Sequence, residues 1–187
     1  MSLALEQTEF YTEEDYYNLP EGVRAELIGG RFYDLAAPSR LHQRILGDLY
    51  AVIHEHIRSR KGDCEVYPAP FAVRLFEDDK TVVEPDISVI CDPGKLTERG
   101  CDGAPDWIIE IVSPGSGSHD YVRKLNLYLD AGVREYWIVD PAKEQILMYQ
   151  LSESGVEMDA YTFQDKVQAR IPGELWIDFS NLGGGTG

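Results

Sequence analysis

The stretch Pro105–Tyr128, PDWIIEIVSPGSGSHDYVRKLNLY, places one acidic residue, Glu110, inside an apolar run. Strand side chains alternate between two faces, so Glu110 shares a face with Ile108 and lies opposite its immediate neighbours. A run that is apolar on both faces is typical of a strand in the middle of a sheet. An ionised carboxylate there is costly unless water or a positive group reaches it. The sequence therefore predicts a buried strand at residues 106–112 and a positive partner for Glu110.

The helix predicted after this strand offers that partner. It should run from about His119 to Ala131, where Gly132 ends it. At about 100° per residue, its tyrosine and leucine residues share one arc and Arg123 points to solvent. Lys124 falls on the flank of the apolar arc, from which its long stem can carry the ammonium to the strand ends. Lys124 is thus the candidate partner of Glu110, although the periodicity fits an ordinary boundary lysine as well.

A second acidic position precedes this stretch, in TVVEPDISVIC at residues 81–91. Glu84 and Asp86 are two residues apart on one predicted face, and Pro85 cannot donate a hydrogen bond to a neighbouring strand. The segment is therefore predicted to contain an edge, a bulge or a strand end. If the two strands are neighbours, Asp86 and Glu110 lie close, and repulsion between them would be relieved by a hard divalent cation such as Mg²⁺ or Mn²⁺.

The remaining segments predict one α/β domain over residues 1–182, with a mixed central sheet flanked by helices and additional hairpins. Residues 183–187, GGGTG, are expected to form a flexible tail. The first half of the chain predicts a short helix capped by Thr12, a hairpin around Gly29–Gly30 and a longer helix capped by Ser39. The apolar stripe of the longer helix is formed by Leu41, Ile45, Leu49, Val52, Ile53 and Ile57. The other predicted elements are strands within 64–76, a loop over 92–105, a hairpin over 134–150 and two strands near the end.

Composition limits the partners and the location. The chain has 187 residues, with 33 acidic and 17 basic side chains and a net charge of −16. Such a charge disfavours non-specific binding to nucleic acid and to anionic membranes. The three cysteines, Cys64, Cys91 and Cys101, are odd in number and lack metal-binding spacing, which predicts reduced thiols and a cytoplasmic protein. No secretory signal and no membrane-spanning run is evident, so no membrane partner is expected.

Several segments together resemble the Uma2 family of restriction endonucleases, within the PD-(D/E)XK nuclease superfamily. They are VEPDISVICDPGKL, GAPDWIIEIVSP, KLNLYLDAGVREYWIVDP, ELIGG, HQRILGDLY and APFAVRL, and they span roughly residues 26–149. The resemblance implies a restriction-endonuclease-like fold and a Mg²⁺- or Mn²⁺-dependent nuclease site. It assigns Asp86 and Glu110 as metal ligands.

The resemblance also assigns the lysine. In the superfamily, the catalytic lysine follows the second acidic residue by two positions, where this chain has Val112. The Uma2 family is thought to supply this lysine from the next helix instead. The resemblance therefore implies Lys124 as the third catalytic residue. Glu26 matches an acidic position that would complete the metal site, although its neighbours Ala25 and Gly29 depart from the family pattern. His42 is an additional candidate, either near a phosphate or simply half-buried at a helix start.

The expected function is metal-dependent hydrolysis of phosphodiester bonds in nucleic acid, with DNA as the expected substrate and RNA left open. A homodimer is left open as an assembly. Two alternatives stay open as well. The first is a regulatory or protein-binding member of the fold that no longer cuts, which the acidic composition favours. The second is a carboxylate-pair hydrolase acting on sugars, with Glu110 and Asp86 as acid and base.

Overall fold

The computed structural model describes residues 10–113, 118–152 and 154–182, so the predicted tail at 183–187 lies outside the described residues. Its helices are α1 (Glu13–Tyr17), α2 (Arg40–Arg60) and α3 (Ser118–Ala131). Its strands are β1 (Ala25–Ile28), β2 (Arg31–Asp34), β3 (Glu65–Pro68), β4 (Val73–Arg74), β5 (Val82–Val83), β6 (Ile87–Ile90), β7 (Leu96–Thr97), β8 (Gly100–Asp102), β9 (Trp107–Ile111), β10 (Glu135–Asp140), β11 (Gln145–Ser152), β12 (Gly155–Thr162), β13 (Lys166–Ala169) and β14 (Leu175–Asp178). The predicted α/β class is confirmed.

The described strands form two six-stranded sheets and one two-stranded sheet. The first sheet has the order β2-β1-β5-β4-β8-β7, and the second has the order β12-β11-β10-β9-β6-β3. Strands β9 and β10 are parallel and α3 connects them, whereas β9 and β6 are antiparallel, so the second sheet is mixed. Strand β9 therefore lies in the interior of the second sheet, as its apolar sequence predicts.

The second sheet is covered on both faces. One face packs against α2 and the two-stranded sheet, through Trp107, Ile109 and Ile111 of β9. The opposite face packs against α3 and the first sheet, and Ile108 belongs to that cluster. The alternation predicted from the sequence is thus present, and Glu110 lies on the face that meets α3 and the first sheet.

The segment Glu84–Asp86 is where the chain passes from the first sheet to the second. Strand β5 ends at Val83 in the first sheet, and β6 begins at Ile87 in the second. Pro85 lies in the passage because it has no N–H to offer to either ladder. Of the three predicted alternatives, an edge, a bulge or a strand end, the structure has the strand end, which brings Asp86 to the start of β6, beside β9.

Three predicted details were wrong. Leu41 and Val52 of α2 are exposed, because the buried arc is centred on Ile45, Leu49 and Ile53 and both residues fall beyond its edge. The predicted loop 92–105 contains β7 and β8, which pair with each other and join β4. The final segment forms three strands rather than two, since β12 extends the hairpin of β10 and β11.

The cysteines also differ from the prediction. Cys64 and Cys91 form a disulfide, whereas Cys101 is free and buried. Glu65 pairs with Ile90 in the β3–β6 ladder, so the two cysteines occupy the next rung and face each other. The expectation of three reduced thiols was wrong because it relied on spacing along the chain and not on strand register. No helix of the described residues is long and apolar enough to cross a membrane.

Candidate active site

Lys124 lies between two buried carboxylates. Its Nζ donates to Oε1 of Glu110 at 2.9 Å and to Oε1 of Glu26 at 3.0 Å. The exposed fractions are 5% for Lys124, 7% for Glu110 and 2% for Glu26. The predicted contact between Lys124 and Glu110 is therefore present, and Glu26 is a second partner that the helical periodicity did not indicate.

Tyr128 completes the surroundings of Glu110. It lies four residues after Lys124 on α3, and its hydroxyl donates to the same oxygen, Oε1, at 2.7 Å. Residues four apart on a helix share a face, so the spacing of Lys124 and Tyr128 was the signal that could have revealed this group. Glu110 thus receives an ammonium and a phenol donor from one face of α3.

Asp86 lies beside Glu110 on the neighbouring strand. Its Oδ2 accepts the backbone N–H of Ile111 at 2.7 Å, so the carboxylate adjoins the peptide that follows Glu110. The side chain of Asp86 is 17% exposed, more than the other acidic and basic groups at the centre of the site. Asp86 therefore marks the side from which water or a ligand reaches the cluster.

His42 approaches Asp86 from the first turn of α2. Its Nε2 is 3.1 Å from Oδ2 of Asp86, and its backbone N–H donates to Oγ of Ser39, the residue that caps the helix. The other ring nitrogen, Nδ1, is buried and has no hydrogen-bond partner among the described residues. His42 thus contacts the predicted metal ligand Asp86 directly.

Glu84 is held away from the centre. Its carboxylate accepts from the hydroxyl of Tyr16 at 2.7 Å and from Nη2 of Arg24 at 2.6 Å. Its backbone N–H donates to Oε1 of Glu26 at 3.0 Å. The prediction that Glu84 and Asp86 share a face presumed one continuous strand, and the passage between the sheets separates them.

The electrostatics of the site follow from burial and proximity. Burial raises the pKa of Glu110, and the charges of Asp86 and Glu26 raise it further, although Lys124 acts in the opposite direction. Burial alone would lower the pKa of Lys124, but the charges and hydrogen bonds of Glu110 and Glu26 outweigh it and raise that pKa. Burial also raises the pKa of Tyr128. The ammonium and the phenol therefore keep their protons as donors to Glu110.

The cluster carries more negative than positive charge. At its centre, the carboxylates of Glu26, Asp86 and Glu110 face one permanent cation, Lys124. For His42, burial lowers the pKa, but the hydrogen bond and charge of Asp86 outweigh it and raise that pKa. An excess of carboxylate oxygens beside a solvent-reaching aspartate is a donor set that suits a hard divalent cation.

Arg123 differs from its predicted position. Its guanidinium lies 3.9 Å from the centre of the Tyr33 ring, and the side chain is half-buried rather than directed to solvent. Tyr33 pairs with Glu26 across the β1–β2 hairpin. A long, flexible side chain can bend along its helix to reach a neighbouring ring, which the angular position of its Cα does not reveal.

Comparisons with known proteins place the fold and the family. The Uma2 family, described as "Putative restriction endonuclease", matches residues 13–180. The "Uncharacterized protein slr1290" of Synechocystis sp. is 25% identical over 145 residues, which make up 76% of this chain and 75% of that protein. The crystal structure of a "putative nuclease belonging to DUF820" from Anabaena variabilis superposes on this chain with a TM-score of 0.75 and 21% sequence identity. The match covers 91% of this chain and 96% of the Anabaena variabilis chain. That likeness shows a shared restriction-endonuclease-like fold. Since the family match spans most of the chain, the protein belongs to the Uma2 family of putative restriction endonucleases.

Proposed function

We propose that the protein is a nuclease that hydrolyses phosphodiester bonds in DNA, with Mg²⁺ or Mn²⁺ as its cofactor. The observation that carries the proposal is the meeting of Asp86, Glu110 and Lys124 at one place that is buried except at Asp86. The family description and the printed title of the Anabaena variabilis structure support the reaction class.

Asp86 and Glu110 would hold the cation. Among the described residues, no group of three or more His, Cys, Asp or Glu side chains is arranged to hold a metal ion. One or two carboxylates are nevertheless the usual protein ligands of Mg²⁺, and water molecules and substrate phosphate oxygens fill its other coordination positions. When bound, such a cation neutralises charge at phosphorus and supplies a nucleophilic water at neutral pH.

Lys124 would act as a charged donor. An ammonium has three N–H groups, and two of them donate to Glu110 and Glu26. The third is left for the attacked phosphate or the attacking water, where a fixed positive charge stabilises developing negative charge. The sequence left open whether this lysine moves a proton or stabilises charge, and its position between two carboxylates favours charge stabilisation.

Substrate approach must overcome the field of the whole protein. A net charge of −16 repels a polyanion, and salt screens that repulsion beyond a Debye length of about 8 Å at physiological ionic strength. Cleavage should therefore fall less steeply with added salt than it does for nucleases that contact many phosphates. We also propose a cytoplasmic location. The Cys64–Cys91 disulfide would be unusual there, because cytoplasmic thiols are generally kept reduced.

A cleavage assay tests the proposal. Labelled duplex DNA and RNA of mixed sequence are incubated with the protein and Mn²⁺ or Mg²⁺, and products are resolved on sequencing gels. We expect DNA cleavage that requires the cation and that Asp86→Asn or Glu110→Gln lowers by about 100-fold or more, as for groups that organise a reaction centre. Glu157→Gln, at an exposed glutamate of β12, is the matched control and should retain full activity.

Calorimetric titration with Mn²⁺ gives the second measurement. Wild type and Glu157→Gln should bind the cation, and Glu110→Gln should bind it much more weakly. Metal binding without cleavage of any nucleic acid would favour the binding-protein alternative. Equal binding by all three proteins would exclude Glu110 as a ligand.

A further inference from the structure

We infer that Glu26 is a positioning residue, which fixes the ammonium of Lys124 relative to the chain segment that carries Asp86. Its Oε1 accepts two hydrogen bonds, from Nζ of Lys124 at 3.0 Å and from the backbone N–H of Glu84 at 3.0 Å. One oxygen atom thus ties a helix side chain to the passage between the two sheets. The consequence for catalysis rests on the proposed function, whereas the contact stands on the geometry alone.

The bonds of Glu26 argue against a direct metal contact through the same atom. A carboxylate oxygen offers two lone pairs, and Oε1 gives one to each of its two donors. A cation at this oxygen would have to displace either Lys124 or the Glu84 peptide. With the residue only 2% exposed, a displaced donor would lose its partner without gaining water.

The strand that carries Glu26 is well placed to impose a position. Strand β1 lies between β2 and β5, so its backbone is hydrogen-bonded on both sides. Side chains of such interior strand residues are held more narrowly than those of loops. Glu26 also pairs with Tyr33 across the hairpin, and Tyr33 receives the guanidinium of Arg123 at 3.9 Å. Two consecutive residues of α3, Arg123 and Lys124, therefore dock on one hairpin, which fixes the rotation of α3 about its axis.

Glu84, whose backbone N–H is bound by Glu26, is also anchored through its side chain. The carboxylate of Glu84 is bound by Tyr16 and Arg24, while its N–H is bound by Glu26. Asp86 follows two residues later, at the start of β6. Removing the Glu26 carboxylate would therefore release both the ammonium and the beginning of the segment that places Asp86.

The first experiment measures the position of Lys124 without reference to activity. Reductive methylation with formaldehyde, followed by peptide mass spectrometry, reports how far each lysine is accessible. The exposed Lys143 serves as the internal reference within each protein. In wild type we expect Lys143 to be methylated and Lys124 protected.

Two variants separate the contributions of Glu26. Glu26→Gln keeps an acceptor oxygen, so Lys124 should stay largely protected. Glu26→Ala removes the acceptor, and methylation of Lys124 should rise by about tenfold or more, the scale of one lost charge-assisted hydrogen bond. Circular dichroism establishes that each variant is folded. A folded Glu26→Ala protein with Lys124 as protected as in wild type would overturn the inference.

The second experiment uses Glu26→Gln and so remains informative if Glu26→Ala does not fold. Because a neutral amide holds the ammonium more weakly than a carboxylate does, a positioning role predicts that Glu26→Gln lowers kcat by about tenfold. KM and the Mn²⁺ affinity should change by less than about twofold, since the amide oxygen still accepts from the Glu84 peptide that precedes Asp86. A fall in Mn²⁺ affinity as large as that of Glu110→Gln would make Glu26 a ligand and overturn the inference. If wild type cuts no substrate, the proposed function fails, and the methylation and Mn²⁺ titration results still decide the role of Glu26.

Discussion

Replacing Lys124 by methionine should destabilise the protein strongly, because the substitution leaves two buried carboxylates without their shared cation. At 2.9 and 3.0 Å and an effective dielectric constant of about 20, each ion pair is worth roughly 5–6 kcal/mol before desolvation. Burial of the ions offsets much of that energy, and removing one partner of a buried pair costs about 3–5 kcal/mol. For a chain of this length, that corresponds to a fall in Tm of roughly 6–20 °C.

The loss should depend on pH. Burial already raises the pKa of Glu110 above its unfolded value, and without Lys124 the pKa of this carboxyl in the folded protein should rise further. When the pKa of a carboxyl group is higher in the folded than in the unfolded protein, the folded protein loses stability as pH increases. The loss begins near the pKa of the unfolded protein, about 4.3, and is complete above the pKa of the folded protein. The difference between wild type and Lys124→Met should therefore be largest at pH 8 and smaller at pH 5.

Urea unfolding followed by tryptophan fluorescence, in buffer containing a chelator, measures both effects. Trp107 and Trp137 are fully buried, so unfolding changes their emission. Lys143→Met is the control: this lysine is itself exposed, and its buried partner Asp140 keeps two backbone N–H donors, so the lost pair should cost no more than about 1 kcal/mol. A Lys124→Met protein that is as stable at pH 8 as the control variant would refute the reasoning, since it would mean that the two carboxylates do not depend on this ammonium.

Three further predictions concern other groups. Tyr128→Phe should lower the free energy of unfolding by about 1.5–3 kcal/mol, because it removes a hydrogen bond to a buried carboxylate, and urea denaturation measures the loss. Iodoacetamide should label Cys101 in unreduced protein only after denaturation, because burial raises the pKa of its thiol to about 11, while Cys64 and Cys91 should be labelled only after reduction, as mass spectrometry can show. Glu135→Leu should lower Tm by several degrees, because the buried Glu135 carboxylate accepts from one indole and two backbone N–H groups that would lose their partner.

The central part of the site follows from local sequence patterns. The period of two along β9 separates Glu110 from its apolar neighbours, and the period of 3.6 along α3 places Lys124 at the edge of the buried arc. These two periods bring Lys124 within reach of Glu110 because β9 and α3 are consecutive and pack on each other, whereas the choice of Lys124 over an ordinary boundary lysine came from the family resemblance. Periodicity left Glu84 and Asp86 equivalent on one predicted face, and the family resemblance assigned Asp86 as the ligand.

The parts that sequence patterns missed all depend on which strands become neighbours. The contact of Glu26 with Lys124 joins residues 98 positions apart, and no periodicity fixes the order of strands in a sheet. The pairing of Cys64 with Cys91 depends in the same way on the register of β3 and β6. Local patterns determine which face a side chain occupies, whereas the partner on that face is set by the global arrangement of strands.

The passage of the chain from one sheet to the other at Glu84–Asp86 has a consequence for the order of folding. The site takes Glu26 from the first sheet, Glu110 from the second and Lys124 from the helix between β9 and β10. Closing a long chain segment is entropically costly and is repaid only when distant contacts form. A chain in which only one sheet has assembled lacks either Glu26 or Glu110 at the cluster, so the complete reactive cluster is among the last features to form and among the first to be lost on partial unfolding.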